Sequence, residues 1–281
     1  MKWDNKWGRR NVDNRRGRGR SVGVPLGIGG TLVLLVLSLV LGVDLFSVFG
    51  LTSPQAGMSS RPPLEANPAE EQMTEFMTFL INDSQEMWAG IFEESGVPYR
   101  DSTLVLYEDI DSSGCGTAVA SVGPFYCPRD GNIYIDYAFY DTLRERYGAP
   151  GDFAQAYVVA HEVGHHVQNL LGTASEVRGA QRARPGEANQ LSVALELQAD
   201  CYAGIYGASA QARGLLERGD LEEGLRAAAA VGDDRLQRGA TGRVNAETFT
   251  HGTSEQRMSW FARGFETGDP NACNTFSASG P

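Results

Sequence analysis

Apolar residues recur every three or four positions over long stretches of the chain, which is the period of a helix with one buried face. This pattern predicts a helix over 71–94, which ends at a Gly-Val-Pro sequence. It predicts another helix over 190–206 and a terminal helical fragment over 258–265. Leu/Ala-rich runs broken by glycines over 211–238 indicate short helices. The C-terminal half is therefore expected to be mainly helical.

Runs rich in β-branched and aromatic residues predict three strands in the part of the chain before residue 140. These runs cover 103–107, 117–122 and 132–136, and the last follows an Asp-Gly turn. A helix over 153–170 is predicted next. Because the strands come early and the helices late, the expected fold class is α+β.

Residues 22–43 carry no charge and are strongly apolar from residue 31 onwards. Twenty-two residues at about 1.5 Å per residue are just long enough to cross the core of a bilayer. A cleavable signal peptide is the competing interpretation, since Gly and Pro dilute the first half of the run. Asp44 follows the run, and no small-residue cleavage site is apparent. The sequence therefore predicts a retained transmembrane anchor over 22–50.

The distribution of charge predicts the topology of this anchor. Residues 1–43 contain eight basic and two acidic residues, whereas the rest of the chain contains 16 basic and 33 acidic residues. The basic flank predicts a disordered cytoplasmic tail over 1–21 and a single-pass protein of the cell membrane. A Pro/Ser-rich linker over 51–70 would then lead to an extracytoplasmic domain over 71–281. The acidic body argues against nucleic acid as a partner, because phosphates are bound by clustered cations.

The four cysteines fit an exported domain, in which an even number favours disulfides. Cys115 and Cys127 flank a stretch that contains Gly and Pro, so a local bridge between them is expected. Cys201 and Cys273 would then pair and hold the C-terminus. The alternative is that Cys201 is only a small buried residue on a helix. A cysteine zinc site is not expected, because the chain has no CxxC pair.

The helix predicted over 153–170 carries the residues with the clearest chemistry. Asp152 and Gln155 have capping-box spacing, which predicts Asp152 as the N-cap of this helix. His161 and His165 lie four apart, so one turn of helix places both imidazoles on one face, ready to bind one Zn²⁺. Glu162, beside the first ligand, is the general base in this type of motif. The pattern predicts a zinc metallopeptidase; two core histidines without a metal are the alternative.

A catalytic zinc needs a third protein ligand and one open position. Glu196 and Asp200 share a face of the helix predicted over 190–206 and lie in an apolar frame. Glu196 is therefore the predicted third ligand, and Asp200 is predicted to orient a ligand imidazole through its free N–H. A pair of solvated acids is the alternative, and Glu187 or His251 are weaker candidates for the third ligand.

Three motifs resemble those of the neutral zinc metallopeptidase family of bacteria: HEVGHH, ELQADCYAG and FTHGTSEQRMSWFARGFETGDPNAC. The resemblance covers most of residues 1–276 and implies a zincin-like domain with one zinc per chain. The ELQAD element is also similar to the ExxxD element of gluzincins, which implies that Glu196 is a zinc ligand and that Asp200 supports the site. Similarity to a His/Arg element of membrane-associated gluzincins implies that His251 or Arg257 lies near the oxyanion of the reaction.

Two classes of function follow from these observations. The first is a membrane-anchored peptidase that cleaves extended peptide or protein substrates, with peptides of the cell wall as one possible class. The second is a zinc-containing binding or assembly module of the cell envelope that does not turn over a substrate. Glu162 favours the enzyme, because a purely structural zinc site is usually closed by four protein ligands.

Overall fold

A computed structural model describes residues 1–16, 68–119 and 123–277. Within these ranges the strands, β1 to β6 in chain order, are Val12–Asn14, Leu104–Tyr107, Ile110–Ser113, Gly116–Val119, Phe125–Cys127 and Asn132–Asp136. The helices, α1 to α8, are Pro68–Glu94, Phe139–Glu145, Asp152–Leu170, Thr173–Ala183, Ala188–Ala212, Asp220–Ala230, Asp233–Thr241 and Ser254–Thr267. The mixture of a small sheet and many helices confirms the α+β class.

The main sheet has four strands in the order β1-β2-β6-β5. Strands β1, β2 and β6 run parallel, while β5 is antiparallel to β6 and forms one edge of the sheet. Strands β3 and β4 form a separate antiparallel hairpin. The strands predicted at 103–107 and 132–136 are confirmed, and the one predicted at 117–122 is confirmed as far as residue 119.

The N-terminal segment is part of the same folded unit as residues 68–277. Strand β1 supplies the outer strand of the sheet, with Val12 opposite Leu104 of β2. The Trp3 ring lies 5.3 Å from that of Phe76 on α1, and Arg15 forms an ion pair at 3.0 Å with Asp111. These contacts are spread along the whole segment, so it is held by the sheet and by α1 together.

The prediction of a disordered tail over 1–21 is therefore wrong for residues 1–15. Composition favoured disorder, but backbone pairing with β2 and aromatic packing supply the contacts that order this segment. The predicted linker also ends earlier than expected, because α1 begins at Pro68. The rest of that linker and the predicted anchor over 22–50 lie outside the described residues.

The pairing of β1 with β2 constrains the topology of the chain. Neighbouring strands of one sheet lie on the same side of any membrane, so a chain that crosses once between residues 16 and 68 cannot form this pair. The single-pass arrangement predicted from the sequence is incompatible with this sheet. Of the helices in the described ranges, none is both long enough and apolar enough to span a bilayer.

Helix α3 lies at the centre of the helical layer and packs against α1, α5 and α6, while α5 also packs against α8. It is buried on nearly all sides, with Phe153, Val159, Val163 and Val167 fully excluded from solvent. This explains its apolar composition, since a helix that contacts neighbours all round has no solvated face. The residues of the candidate site are thus carried by the most buried helix of the fold.

The predicted cap of α3 is wrong. Gly151 is the N-cap, with φ of 118°, and Asp152 is already helical and makes no capping hydrogen bond. A residue with a side chain is strained at this φ, which explains the glycine. Asp152 instead accepts a hydrogen bond from the α-amino group of Met1, and its charge at the start of the helix is favourable to the helix dipole.

Both predicted disulfides, Cys115–Cys127 and Cys201–Cys273, are confirmed, and none of the four cysteines is free. The first links the β3–β4 hairpin to the edge strand β5. The second links α5 to the short turn that follows α8. Each cross-link is expected to stabilise the fold by roughly 2–4 kcal/mol, chiefly by restricting the unfolded chain.

Two glycines allow α5 and α8 to cross in contact. A Cβ built on Gly264 would collide with the carbonyl oxygen of Cys201, and one on Gly204 would collide with that of Phe261. The backbones therefore touch where these helices cross, and neither position has room for a side chain. This close approach sets the distance between α5, which carries Glu196, and α8, which carries Arg257.

We expect Gly264→Ala to lower the free energy of unfolding by about 1–3 kcal/mol, because α5 and α8 must separate to admit the methyl group. The matched control is Gly90→Ala on α1, where a Cβ meets nothing within 4 Å. That change should raise stability by about 0.5–1 kcal/mol, since alanine is the better helix former. Guanidinium unfolding curves measure both, and unchanged stability of the Gly264 variant would contradict the packing described.

Candidate metal centre and catalytic cleft

The two histidines of α3 point to the same side of the helix. The ring centroids of His161 and His165 are 4.8 Å apart, as the spacing of four residues predicts. Gly164 lies between them on the side that faces α5, where an added Cβ would lie 3.1 Å from the carbonyl oxygen of Ala199. The glycine therefore lets α5 approach closely enough for its acidic residues to reach the imidazoles.

Glu196 on α5 lies between the two imidazoles. Its Oε2 is 3.2 Å from Nε2 of His161, and its Oε1 is 3.4 Å from Nε2 of His165. One donor atom from each of the three residues lies within 4.8 Å of the others. Two imidazole nitrogens and one carboxylate form the donor set of catalytic zinc with an open fourth position. Glu187, the weaker candidate, is exposed and paired with Arg184.

The second nitrogen of each imidazole is held by its own partner. Nδ1 of His161 lies 2.9 Å from Asp200, and Nδ1 of His165 lies 2.9 Å from Oε1 of Gln168. Both acceptors fix the tautomer in which Nδ1 carries the proton and Nε2 offers its lone pair to a metal. Asp200 was predicted for this position. Gln168 was missed, although it lies three residues after His165 on the same helix face.

Asp200 lies at the centre of a buried polar network and is fully excluded from solvent. It accepts hydrogen bonds from the Tyr157 hydroxyl and from Nε and Nη2 of Arg257, at 2.8 and 3.0 Å for the arginine. Burial alone would raise the pKa of Asp200, but the charges of Arg257 and His161 outweigh it and lower that pKa. The carboxylate is therefore ionised and can hold His161 firmly. Tyr157 was missed from the sequence.

The electrostatic field at the cluster favours a cation. Burial opposes the protonation of His161, yet the neighbouring Asp200 and Glu196 raise its pKa to about 9. Burial opposes the ionisation of Glu196, yet His165 and His161 hold its pKa well below its usual range. Both shifts express the attraction between the acidic side chains and the imidazoles, and the carboxylates of Asp200 and Glu196 supply the negative charge that a cation at this position would meet. A divalent cation that replaced these protons would likewise balance the negative charge of the carboxylates, and it would be bound by neutral imidazoles.

Glu162 is buried, with 6% of its surface exposed, and is not one of the three clustered donors. Its Oε2 is a buried side-chain oxygen without a hydrogen-bond partner in the described part of the chain. Burial raises the pKa of this carboxyl, and the nearby His165 and His161 oppose that rise. A water molecule is the obvious partner for such an oxygen, which is what the predicted role as general base requires.

His251 and Arg257, which the family resemblance placed near the oxyanion, lie in different environments. The side chain of His251 is half exposed and lines the cleft, with Nδ1 3.2 Å from Asp233, which raises the pKa of the imidazole. Arg257 is buried and donates to Asp200, Tyr157 and the Val231 carbonyl. The donors of Arg257 are therefore occupied by protein groups, whereas His251 is open to the cleft.

The metal-ligand cluster lies in the wall of a cleft of about 720 Å³. Strand β5 contributes Phe125 and Tyr126 to this cleft, and α2 and α7 contribute Phe139 and Leu236. The lining thus combines apolar and aromatic side chains with polar and charged ones, a mixture suited to binding an organic molecule in a defined orientation.

The family model described as "Putative neutral zinc metallopeptidase" matches residues 1–276. The uncharacterized protein YpfJ of Escherichia coli (strain K12) is 47% identical over 287 residues, which covers 99% of this chain and 100% of the relative. An uncharacterized protein of Mycobacterium tuberculosis (strain ATCC 25618 / H37Rv) is 47% identical over 191 residues, 64% of each chain. No solved structure gives a significant match. With a family model that spans almost the whole sequence, the chain belongs to the neutral zinc metallopeptidase family.

Proposed function

We propose that this chain is a zinc-dependent peptidase in which His161, His165 and Glu196 hold one zinc ion and Glu162 is the general base. The observation that carries the proposal is the buried Oε2 of Glu162, which has no partner among the described residues and lies in the wall of the cleft. Leaving such a group unsatisfied costs about 1–3 kcal/mol or more. That cost is accounted for if this oxygen binds the water that reacts.

Zinc bound at the three ligands would supply Lewis acidity, which lowers the pKa of a water molecule and polarises the carbonyl of the scissile bond. Glu162 accepts a proton from the attacking water and passes it to the nitrogen of the leaving amine. Its burial suits it to this step, because a raised pKa makes the carboxylate a stronger base. Gln168 and Asp200 keep the two imidazoles in the orientation that binds metal.

His251 is the proposed transition-state donor, because its side chain lines the same cleft as the proposed metal ligands. Asp233 accepts from its Nδ1 and favours the protonated imidazole, which leaves Nε2–H free to donate. That proton would stabilise the carbonyl oxygen as negative charge develops on it. Arg257 has a different role in this proposal: it is a positioning residue that holds Asp200, and through Asp200 it holds His161.

The edge strand β5 is the proposed docking element for an extended substrate. It is the terminal strand of the described sheet on the side of the cleft, and Phe125 and Tyr126 line that cleft. A free strand edge offers N–H and C=O groups to a peptide backbone, which gives affinity without selecting a sequence. An endopeptidase is therefore favoured over an enzyme for small ligands.

The alternative is a zinc-containing binding module without turnover. A module of this kind would require the metal ligands and the residues that orient them. It would not require a buried carboxylate such as Glu162, which is not a ligand and lies beside an open coordination position. The two candidates agree about the metal and differ only about the role of that carboxylate.

We also propose an extracytoplasmic location for the folded unit, supported by its two disulfides, which persist outside a reducing cytosol. The notable difference from a single-pass arrangement is that residues 1–15 would share this location, because β1 pairs with β2.

The metal proposal predicts that Glu196→Gln weakens zinc binding by more than tenfold, since a ligand loses its charge (about tenfold is already typical for loss of a supporting residue). Elemental analysis of the purified full-length protein after dialysis against a competing chelator measures the loss. Glu187→Gln is the matched control, because this exposed glutamate lies outside the cluster and should leave the zinc content unchanged. Full zinc occupancy in the Glu196 variant would assign the third ligand to another residue.

The catalytic proposal predicts that Glu162→Gln keeps its zinc but lowers kcat by about 10²–10⁴-fold, because the general base is lost. A library of fluorogenic peptides, tested with zinc and with chelator, provides the measurement. Equal rates for the wild type and the variant would remove Glu162 from the mechanism. If the zinc-loaded wild type cleaves no peptide in the library, the binding module becomes the better description.

The location can be tested with single cysteines at exposed positions on either side of the undescribed segment, Arg9→Cys and Glu94→Cys. The four native cysteines are paired and should not react. We expect a membrane-impermeant maleimide to label both variants on intact spheroplasts. Labelling of Glu94→Cys alone would restore the single-pass arrangement, and labelling of neither before lysis would place the domain in the cytoplasm.

A further inference from the structure

The cleft follows the length of the metal-binding helix. The residues of α3 that line it form one face of the helix, from Tyr157 and Val158 through His161, Glu162 and His165 to Gln168. Tyr157 and Gln168 are eleven positions apart, which corresponds to about 17 Å of helix. An extended peptide rises about 3.3 Å per residue, so roughly five residues fit along this length. The cleft therefore reaches two to three substrate residues to either side of the metal position.

Two exposed arginines line this cleft near opposite ends of α3. Arg146 follows α2 and precedes the start of α3, whereas Arg178 lies on α4, which follows its end. Neither forms an ion pair within 4.0 Å in the part of the chain that the structure describes, although the nearby Arg144 and Arg184 each pair with an acid. Both guanidinium groups are thus available to a ligand.

Each acidic side chain that lines the cleft has partners other than Arg146 and Arg178, or a proposed role in the reaction. Asp136 accepts hydrogen bonds from the backbone N–H groups of Asp109 and Ala138. Glu196 lies between the histidines as a metal ligand, and Glu162 is reserved for the reaction. Arg146 and Arg178 thus place two cationic side chains in the cleft of a chain whose net charge is −11. Such a local reversal of sign selects a ligand of complementary charge.

We propose that Arg146 and Arg178 are specificity-determining residues that bind acidic side chains of an extended peptide, one on each side of the scissile bond. This inference rests on the proposed peptidase function and names its substrate class: peptides with Asp or Glu two to three residues from the cleaved bond. Arginine suits this task because its planar guanidinium can bind a carboxylate through two parallel hydrogen bonds.

The test compares one peptide carrying Glu on both sides of the scissile bond with the same peptide carrying Gln. The zinc-loaded, full-length wild type should cleave the Glu peptide with a kcat/KM at least tenfold higher, and added salt should reduce this preference. Arg146→Gln and Arg178→Gln should each reduce the preference, and the double variant should abolish it. Arg144→Gln is the control, since this exposed arginine does not line the cleft and should not alter the preference.

A binding measurement separates this inference from the peptidase function itself. Fluorescence anisotropy of the labelled Glu and Gln peptides needs no turnover. Tighter binding of the Glu peptide that disappears in the double variant supports the arginine sites even if neither peptide is cleaved, in which case the peptidase proposal fails alone. Cleavage or binding that ignores the Glu-to-Gln change, or that keeps the preference in the double variant, overturns the inference.

Discussion

The buried carboxylate of Asp200 is the group on which the geometry of the site depends. It lies on α5 and is bonded to His161 and Tyr157 of α3 and to Arg257 of α8. A charge in this environment is tolerated only when its partners are in place, and loss of one partner typically costs about 3–5 kcal/mol. The three helices are therefore held in one relative arrangement. Glu196, one turn earlier on α5, is brought against both imidazoles by the same contact.

The local part of the site could be predicted from the sequence, because helical periodicity relates residues that are three or four positions apart. This is how His161 with His165, and Glu196 with Asp200, were each assigned to one face. The prediction that these two pairs lie close together was based on the requirement of a catalytic zinc for a third protein ligand. Gln168 lies three positions after His165 and could have been found by the same periodicity, whereas the role of Tyr157 depends on which groups of α5 and α8 come to lie opposite it.

The long-range part of the fold could not be predicted in the same way. Helices α1, α3 and α5 and strands β2 and β6 have clear periodic patterns, so they were found, although α5 extends six residues beyond its predicted end. Strand β1 has only three residues in a basic, glycine-rich segment, and its partner lies about ninety positions later in the chain. The composition of a segment indicates whether it favours contact with water. It does not indicate whether a strand far away in the sequence will pair with that segment.

That short strand has a consequence for the solubility of the folded unit. Without β1, strand β2 would be the last strand of the sheet, and all four of its residues are buried. An apolar strand with an open edge is a template for pairing with a second molecule, which leads to aggregation. The segment around β1 covers this edge with a polar strand flanked by lysines and arginines, which discourage further pairing. The charged start of the chain thus protects the sheet from adding strands of other molecules.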